Sequence, residues 1–120
     1  MKALAKLIHQ TPASYLPTAF PAHYYGMPNG KIYLVFSRFY EAAIGNSGIE
    51  FVFAEHIDYS YNYQTEEIIA LYNAQEQRKV FAEQVDHPNL RFTIFTTKRN
   101  LQSYGQAEAF LNNEAIRMCS

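Results

Sequence analysis

The chain has no tryptophan, a single cysteine, and no apolar run approaching the ~20 residues a bilayer-spanning helix needs. With Cys119 alone, no intrachain disulfide can form. A disulfide scaffold is excluded and a reducing compartment is expected. Excess charge is also missing. Ten Lys and Arg stand against eleven Asp and Glu, so the net charge is −1. Such a balance gives no global field to recruit nucleic acid or an anionic membrane, and neither is expected as a partner. The adjacent basic pairs Arg78-Lys79 and Lys98-Arg99 are too short to act as a patch. Residues 1–10 do not read as a signal peptide, because Lys2, Lys6 and His9 interrupt their apolar residues. The expected location is the cytoplasm.

Tyrosine and phenylalanine are plentiful instead, with ten Tyr and nine Phe among 120 residues. Both favour strands and both favour contact surfaces, so a sheet-rich core and an adhesive face are equally consistent with the count. Apolar residues make up 48% of the chain and charged residues 18%, which suits one folded domain over 1–120. Its length allows a core without staples.

Ala3, Leu4, Leu7 and Ile8 form a stripe at helical spacing, which predicts a helix over about 2–10 that ends at Thr11-Pro12. Residues 13–30 contain Pro17, Pro21, Gly26, Pro28 and Gly30 and read as an aromatic, proline-rich ordered loop. Next comes the clearest pattern. Ile32, Leu34, Phe36, Tyr40, Ala42 and Ile44 alternate with other residues, as do Ile49, Phe51, Phe53, Ile57, Tyr59 and Tyr61. Between the two sets lies Gly45-Asn46-Ser47-Gly48, which is strong turn chemistry. A long β-hairpin over about 31–44 and 49–61 is expected. A turn centred between Asn46 and Ser47 makes paired residue numbers total 93. Arg38 then meets Glu55 within an otherwise apolar face. The competing reading is a short helix over Arg38–Ile44, capped by Ser37 and closed by Gly45.

Thr65 to Val85 reads as a helix capped by Thr65, with Glu66 and Glu67 at its positive end. Asp86-His87-Pro88-Asn89 breaks the chain, and Leu90–Thr97 reads as a strand. A helix follows over about 103–111 and stops at Asn112-Asn113. A last short strand over Ala115–Cys119 is a further option. The expected fold is α+β: a two-layer sandwich with a mainly antiparallel sheet of three to four strands. Its helices would pack mostly on one face. The other face would be polar and free, or covered by the aromatic loop or a partner.

Few residues suggest chemistry. Arg38 and Glu55, if buried, must pair, either as a structural bridge or as a polar site. Ser37, His56 and Asp58 have the residue types of a nucleophile, base and orienting acid, but a flat strand surface supplies no oxyanion hole. His9, His23, His56 and His87 lack metal-ligand spacing, and no metal or cofactor is expected. Met27-Pro28-Asn29-Gly30-Lys31 lacks the phosphate-loop pattern. Cys119 sits next to the end of the sequence given, where an ordered pocket for a reactive thiol is rare. Gly48-Ile49-Glu50-Phe51-Val52-Phe53, with Ile32-Tyr33-Leu34, resembles the aromatic strands of RNA-recognition motifs over those segments alone. A helix separates the two strands in that family; only a turn does here.

The remaining candidates are Tyr24, Tyr25, Tyr59, Tyr61 and Tyr63. Tyrosine gives large contact area at low entropic cost while keeping a polar tip in water. The expected function is a small non-enzymatic protein-binding module, regulatory or inhibitory, docking through a tyrosine-rich sheet face or edge. It would bind another protein or itself as a homodimer. The alternative is a small enzyme or ligand-binding domain with a polar site around Arg38, Glu55 and His56.

Overall fold

The computed structural model describes residues 3–11, 21–43, 45–71, 76–85 and 91–119, with backbone alone at 42, 43, 46 and 47. Among the described residues seven strands are joined in one antiparallel sheet: β1 (Lys6–Gln10), β2 (Ala22–Gly26), β3 (Lys31–Ala43), β4 (Asn46–Asn62), β5 (Glu67–Leu71), β6 (Gln77–Val80) and β7 (Phe92–Lys98). One α-helix, α1 (Tyr104–Met118), follows the last strand. The α+β class is as expected, but the sheet has seven strands rather than three or four. The order is β1-β2-β3-β4-β5-β6, with β7 also paired to β4.

The long hairpin forms, and residues 38–43 are strand rather than helix. Its register is not the expected one. Paired numbers total 88, as in Arg38–Glu50 and Phe36–Val52. Gly45, with φ +78°, lies in the turn, while Asn46 to Gly48 belong to β4. Gly48 serves a different purpose from a turn residue. A side chain there would lie 3.1 Å from the Tyr40 ring.

An odd offset exchanges the faces of a strand. Glu50, Val52, Ala54 and His56, expected to be outward, are all buried. A second irregularity follows. Tyr33 pairs with Glu55 but Lys31 pairs with Ser60, so the chain from His56 to Tyr59 bulges out of the β3 ladder. The bulge exchanges the faces again, and Tyr61 therefore joins the same core as Val52 and Ala54. One alternating stripe across residues 49–61 does not exist.

Both sheet faces are covered. On one, α1 lays Ala107, Leu111 and Ala115 on Tyr25, Met27, Val35, Phe51 and Phe53. Ser103 caps the helix by accepting a hydrogen bond from the Gln106 amide at 3.3 Å. On the other face, side chains from all seven strands reach one cluster, including Ile8, Tyr24, Leu34, Val52, Ile68, Val80 and Phe92. A flat sheet cannot bring its two edges to one cluster, so the sheet is curled around this core. A short 3-10 turn, Ala82–Gln84, together with Val85 adds to the filling.

Two expected helices are strands. Residues 6–10 form β1 because Ile8 is a bulge between Leu7–Tyr25 and His9–Tyr24, and the bulge imitates helical spacing. Residues 67–71 and 77–80 form β5 and β6. In β5, Ile68 and Ala70 are buried in strict alternation. Here the open edge of β4 supplies hydrogen-bond partners, and tertiary pairing overrides local propensity. The third expected helix begins as read but runs on to Met118, through the segment offered as a last strand. The expected 13–30 loop contains β2. Residues 12–20 lie outside the described residues, as do Ile44, positions 72–75 of the expected 65–85 helix, the expected break at 86–89 and Leu90 at the start of the expected strand.

Candidate functional site

Because the sheet curls without closing, its edge strands β1 and β6 become opposite walls of one seam. A cleft of about 560 Å³ lies there, lined by Leu7, Ile8, Tyr61, Ile68, Val80, Phe81 and Ala82. Tyr61 is its aromatic floor. The ring lies so close over Gly26 that a Cβ on that glycine would sit 2.3 Å from it. Burial holds the Tyr61 phenol up to about 12. Leu7 and Phe81 flank the opening; Phe81 is 77% exposed.

Two ion pairs frame the cleft. Lys6 Nζ meets Glu66 Oε1 at 3.1 Å, and Lys79 Nζ meets Glu67 Oε1 at 3.2 Å. Lys6 also lies 4.1 Å from the centroid of the Tyr63 ring. The Tyr63 hydroxyl donates to Leu4 O at 2.6 Å and accepts from Leu4 N at 3.1 Å. The β4–β5 turn is thereby tied to the segment before β1. In that turn Asn62 Oδ1 accepts from the Gln64 and Thr65 amides, both at 3.0 Å. Glu66 itself adopts φ +61°, a conformation costly for a side chain with a Cβ. The strained residue holds one side of the frame.

The sequence-derived candidates are scattered around the fold. Tyr24 and Tyr25 are buried, on opposite faces of β2. Tyr25 donates to Glu108 Oε2 at 2.8 Å, and burial, then that carboxylate, raises its phenol pKa. Tyr59, Tyr61 and Tyr63 all pack on the curled core, and of the five only Tyr61 lines the cleft. Arg38 does not meet Glu55. Glu55 pairs with Lys31 at 3.0 Å. Arg38 instead donates to Glu50 Oε2 through Nε at 3.3 Å and Nη2 at 3.2 Å. Arg99 Nε reaches the other Glu50 oxygen at 3.3 Å, while its guanidinium stacks 3.9 Å from the Tyr40 ring centroid. Glu50, with a side chain only 5% exposed, is thus held by two cations.

Ser37, His56 and Asp58 do not converge. Ser37 faces α1, where its hydroxyl lies 3.3 Å from that of Tyr104. His56 is on the other face, stacked on Tyr24 with ring centroids 5.0 Å apart. Asp58 pairs with Arg91 at 2.6 Å, and those bonds hold its carboxyl below the usual range. Phe51 and Phe53 are buried beneath α1, so the two phenylalanines of the segment that resembles an RNA-recognition strand offer no ring face to a base. Among the described residues no three His, Cys, Asp or Glu side chains gather as a metal site requires. Cys119 is exposed at the end of α1, and His87 lies outside the described residues. No helix among the described residues is long and apolar enough to cross a membrane.

Sequence reasoning reaches the seam only at Tyr61, since Leu7, Val80 and Phe81 fall within two expected helices. Glu50 had a legible signal, a lone carboxylate within Ile49-Glu50-Phe51-Val52-Phe53-Ala54.

The fold and cleft define a curled-sheet α+β domain with an unclosed seam. No protein-family model, curated protein or solved structure matches the chain.

Proposed function

We propose that this chain is a non-enzymatic protein-binding module that takes an apolar segment of a partner protein into the seam between β1 and β6. The observation behind the reading is that the cleft is apolar, framed by charge, and flanked by the exposed side chains of Leu7 and Phe81. Exposed aromatic anchors beside a concave apolar site are the usual makings of a binding hot spot. The edges themselves discourage indiscriminate strand pairing. β1 is bulged at Ile8, and β6 carries Arg78 and Lys79. Recognition therefore runs through side chains entering the cleft rather than through an added ladder. Of the five tyrosines only Tyr61 enters this reading, as the floor of the cleft, while Tyr24 and Tyr25 are buried elsewhere. A cytoplasmic address belongs to the same proposal and is supported by the lone cysteine.

Selection from a displayed peptide library tests it. Enriched peptides should share spaced apolar residues and lose binding to Leu7→Asp and Phe81→Asp. Peptides that bind those variants as well as the unaltered chain would sink the idea. A second reading has one observation in its favour: the cleft volume lies within the roughly 300–1,000 Å³ of small-molecule sites. An apolar fluorescent dye bound one to one at the seam, with no peptide enriched, would favour that reading.

A further inference from the structure

We infer that the α1-side face of the β3–β4 hairpin at Phe39 and Ile49 is a self-association surface, and that its occupant is a second copy of this chain. The inference goes beyond the seam and rests on other residues. Helix α1 covers only part of its sheet face. Towards the hairpin turn the same face continues with Phe39 directly opposite Ile49, 62% and 40% exposed. Beside them is a hollow of about 510 Å³, lined by Ser37, Gly48, Ile49, Phe51, Leu101 and Tyr104. A protruding aromatic side chain and an apolar hollow thus lie next to each other on one patch.

That adjacency selects the occupant. A two-fold axis through the patch seats each Phe39 in the other copy's hollow, so one surface satisfies itself twice. Charge agrees with this arrangement. Arg38, Glu50 and Arg99 are on the opposite sheet face and present no like-charge barrier. Glu41 is exposed on the patch side, two residues beyond Phe39, and Lys98 lies inward, opposite Phe51. The same axis carries Glu41 towards the other copy's Lys98 and the positive end of its α1. One aromatic anchor and one aliphatic neighbour make a small contact, so association should depend on concentration.

Sedimentation velocity over a wide concentration range is the test. The mass should rise from 13.9 kDa towards twice that value. Phe39→Asp should stay monomeric throughout while keeping the circular dichroism spectrum of the unaltered chain. Should that variant fold poorly, Ile49→Ser should weaken the dimer with less disturbance. Glu41→Lys should raise the dissociation constant about tenfold, and adding Lys98→Glu should recover it. A chain that remains 13.9 kDa at every concentration overturns the inference. So does a dimer that survives Phe39→Asp but is lost in Phe81→Asp, which would place self-association on the seam.

Discussion

The two faces of the sheet are closed in different ways. Beneath α1, a helix supplies Ala107, Leu111 and Ala115 to the core, and Phe110 packs edge-on to Phe53. A row of polar locks at helical spacing adds to this contact. Tyr104 donates to Pro21 O at 2.5 Å, Glu108 accepts from Tyr25, and Asn112 Oδ1 accepts from the Ala5 amide at 3.0 Å. On the curled face no α-helix arrives among the described residues, and closure depends on the sheet bending until its own edges meet one cluster. Each leaves a remainder: beyond the start of α1 it is the hollow beside Ile49 and Tyr104, and on the curled face it is the gap between the sheet edges. The first face is sealed along the helix, whereas the second keeps a seam between β1 and β6. An interior closed by curvature exposes a cleft wherever the edges fail to pair, and here that remainder is the binding site we propose.

The difference predicts where the molecule is least tolerant. The largest effect is expected at Gly26→Ala. The new Cβ would meet the Tyr61 ring at 2.3 Å, so either β2 or the floor of the cleft must move. A loss of about 3 kcal/mol in denaturant unfolding is expected. The loss should shrink in a Tyr61→Leu background. In the single variant the Tyr61 phenol should also titrate below its present value of about 12. Equal losses in both backgrounds would mean that curvature is not set by this contact.

A smaller effect is expected at the end of the curled face. Glu50→Gln leaves two guanidinium groups facing a neutral amide, at a cost of about 2 kcal/mol. Glu55→Gln should cost less than about 1 kcal/mol, because its pair with Lys31 is half in water. A double-mutant cycle should show coupling for Arg38 with Glu50 and none for Arg38 with Glu55. The opposite result would restore the register in which paired numbers total 93.

The smallest effect lies under the helix and is a matter of pH. His23 stacks on Tyr104 with centroids 4.1 Å apart, and burial lowers its pKa below 6.5 while Glu108 opposes the shift. With the folded value depressed, the unfolded chain takes up the proton first. Stability is full above pH 6.5 and declines as pH falls through that value towards the folded one. His23→Gln should flatten this part of the stability profile. The Asp58–Arg91 pair acts in a separate window. Its contribution is present above pH 3.8 and is lost below, as Asp58 protonates. A decline that persists in His23→Gln would assign the upper window to another group.

The comparison also shows which parts of the structure were legible in the sequence. Ser103 to Leu111 was readable as a helix because its inward residues Ala107, Phe110 and Leu111 follow a local spacing. The strand after Leu90 was readable for the same reason, as was the existence of the hairpin. β1 was not, because a bulge at Ile8 turned a strand into the likeness of a helical stripe. The register was not, because Gly45 and Gly48 look alike in sequence but serve a turn and a close aromatic contact respectively. Of the candidate residues, Tyr61 lines the cleft. Arg38 sits in a charged cluster whose partner is Glu50 rather than Glu55.

By itself the sequence determined what local chemistry can determine. It set an α+β composition, a helix beginning near Ser103, a long hairpin, and an interior without disulfides. It could not determine which glycine turns and which makes room. Nor could it determine that one strand changes faces at His56–Tyr59. Only the tertiary structure decided these, because a strand's side chains are assigned to a face by its neighbours' hydrogen bonds. The seam has the same origin. Its two walls are about seventy residues apart in the chain, and they meet only because the sheet between them curls.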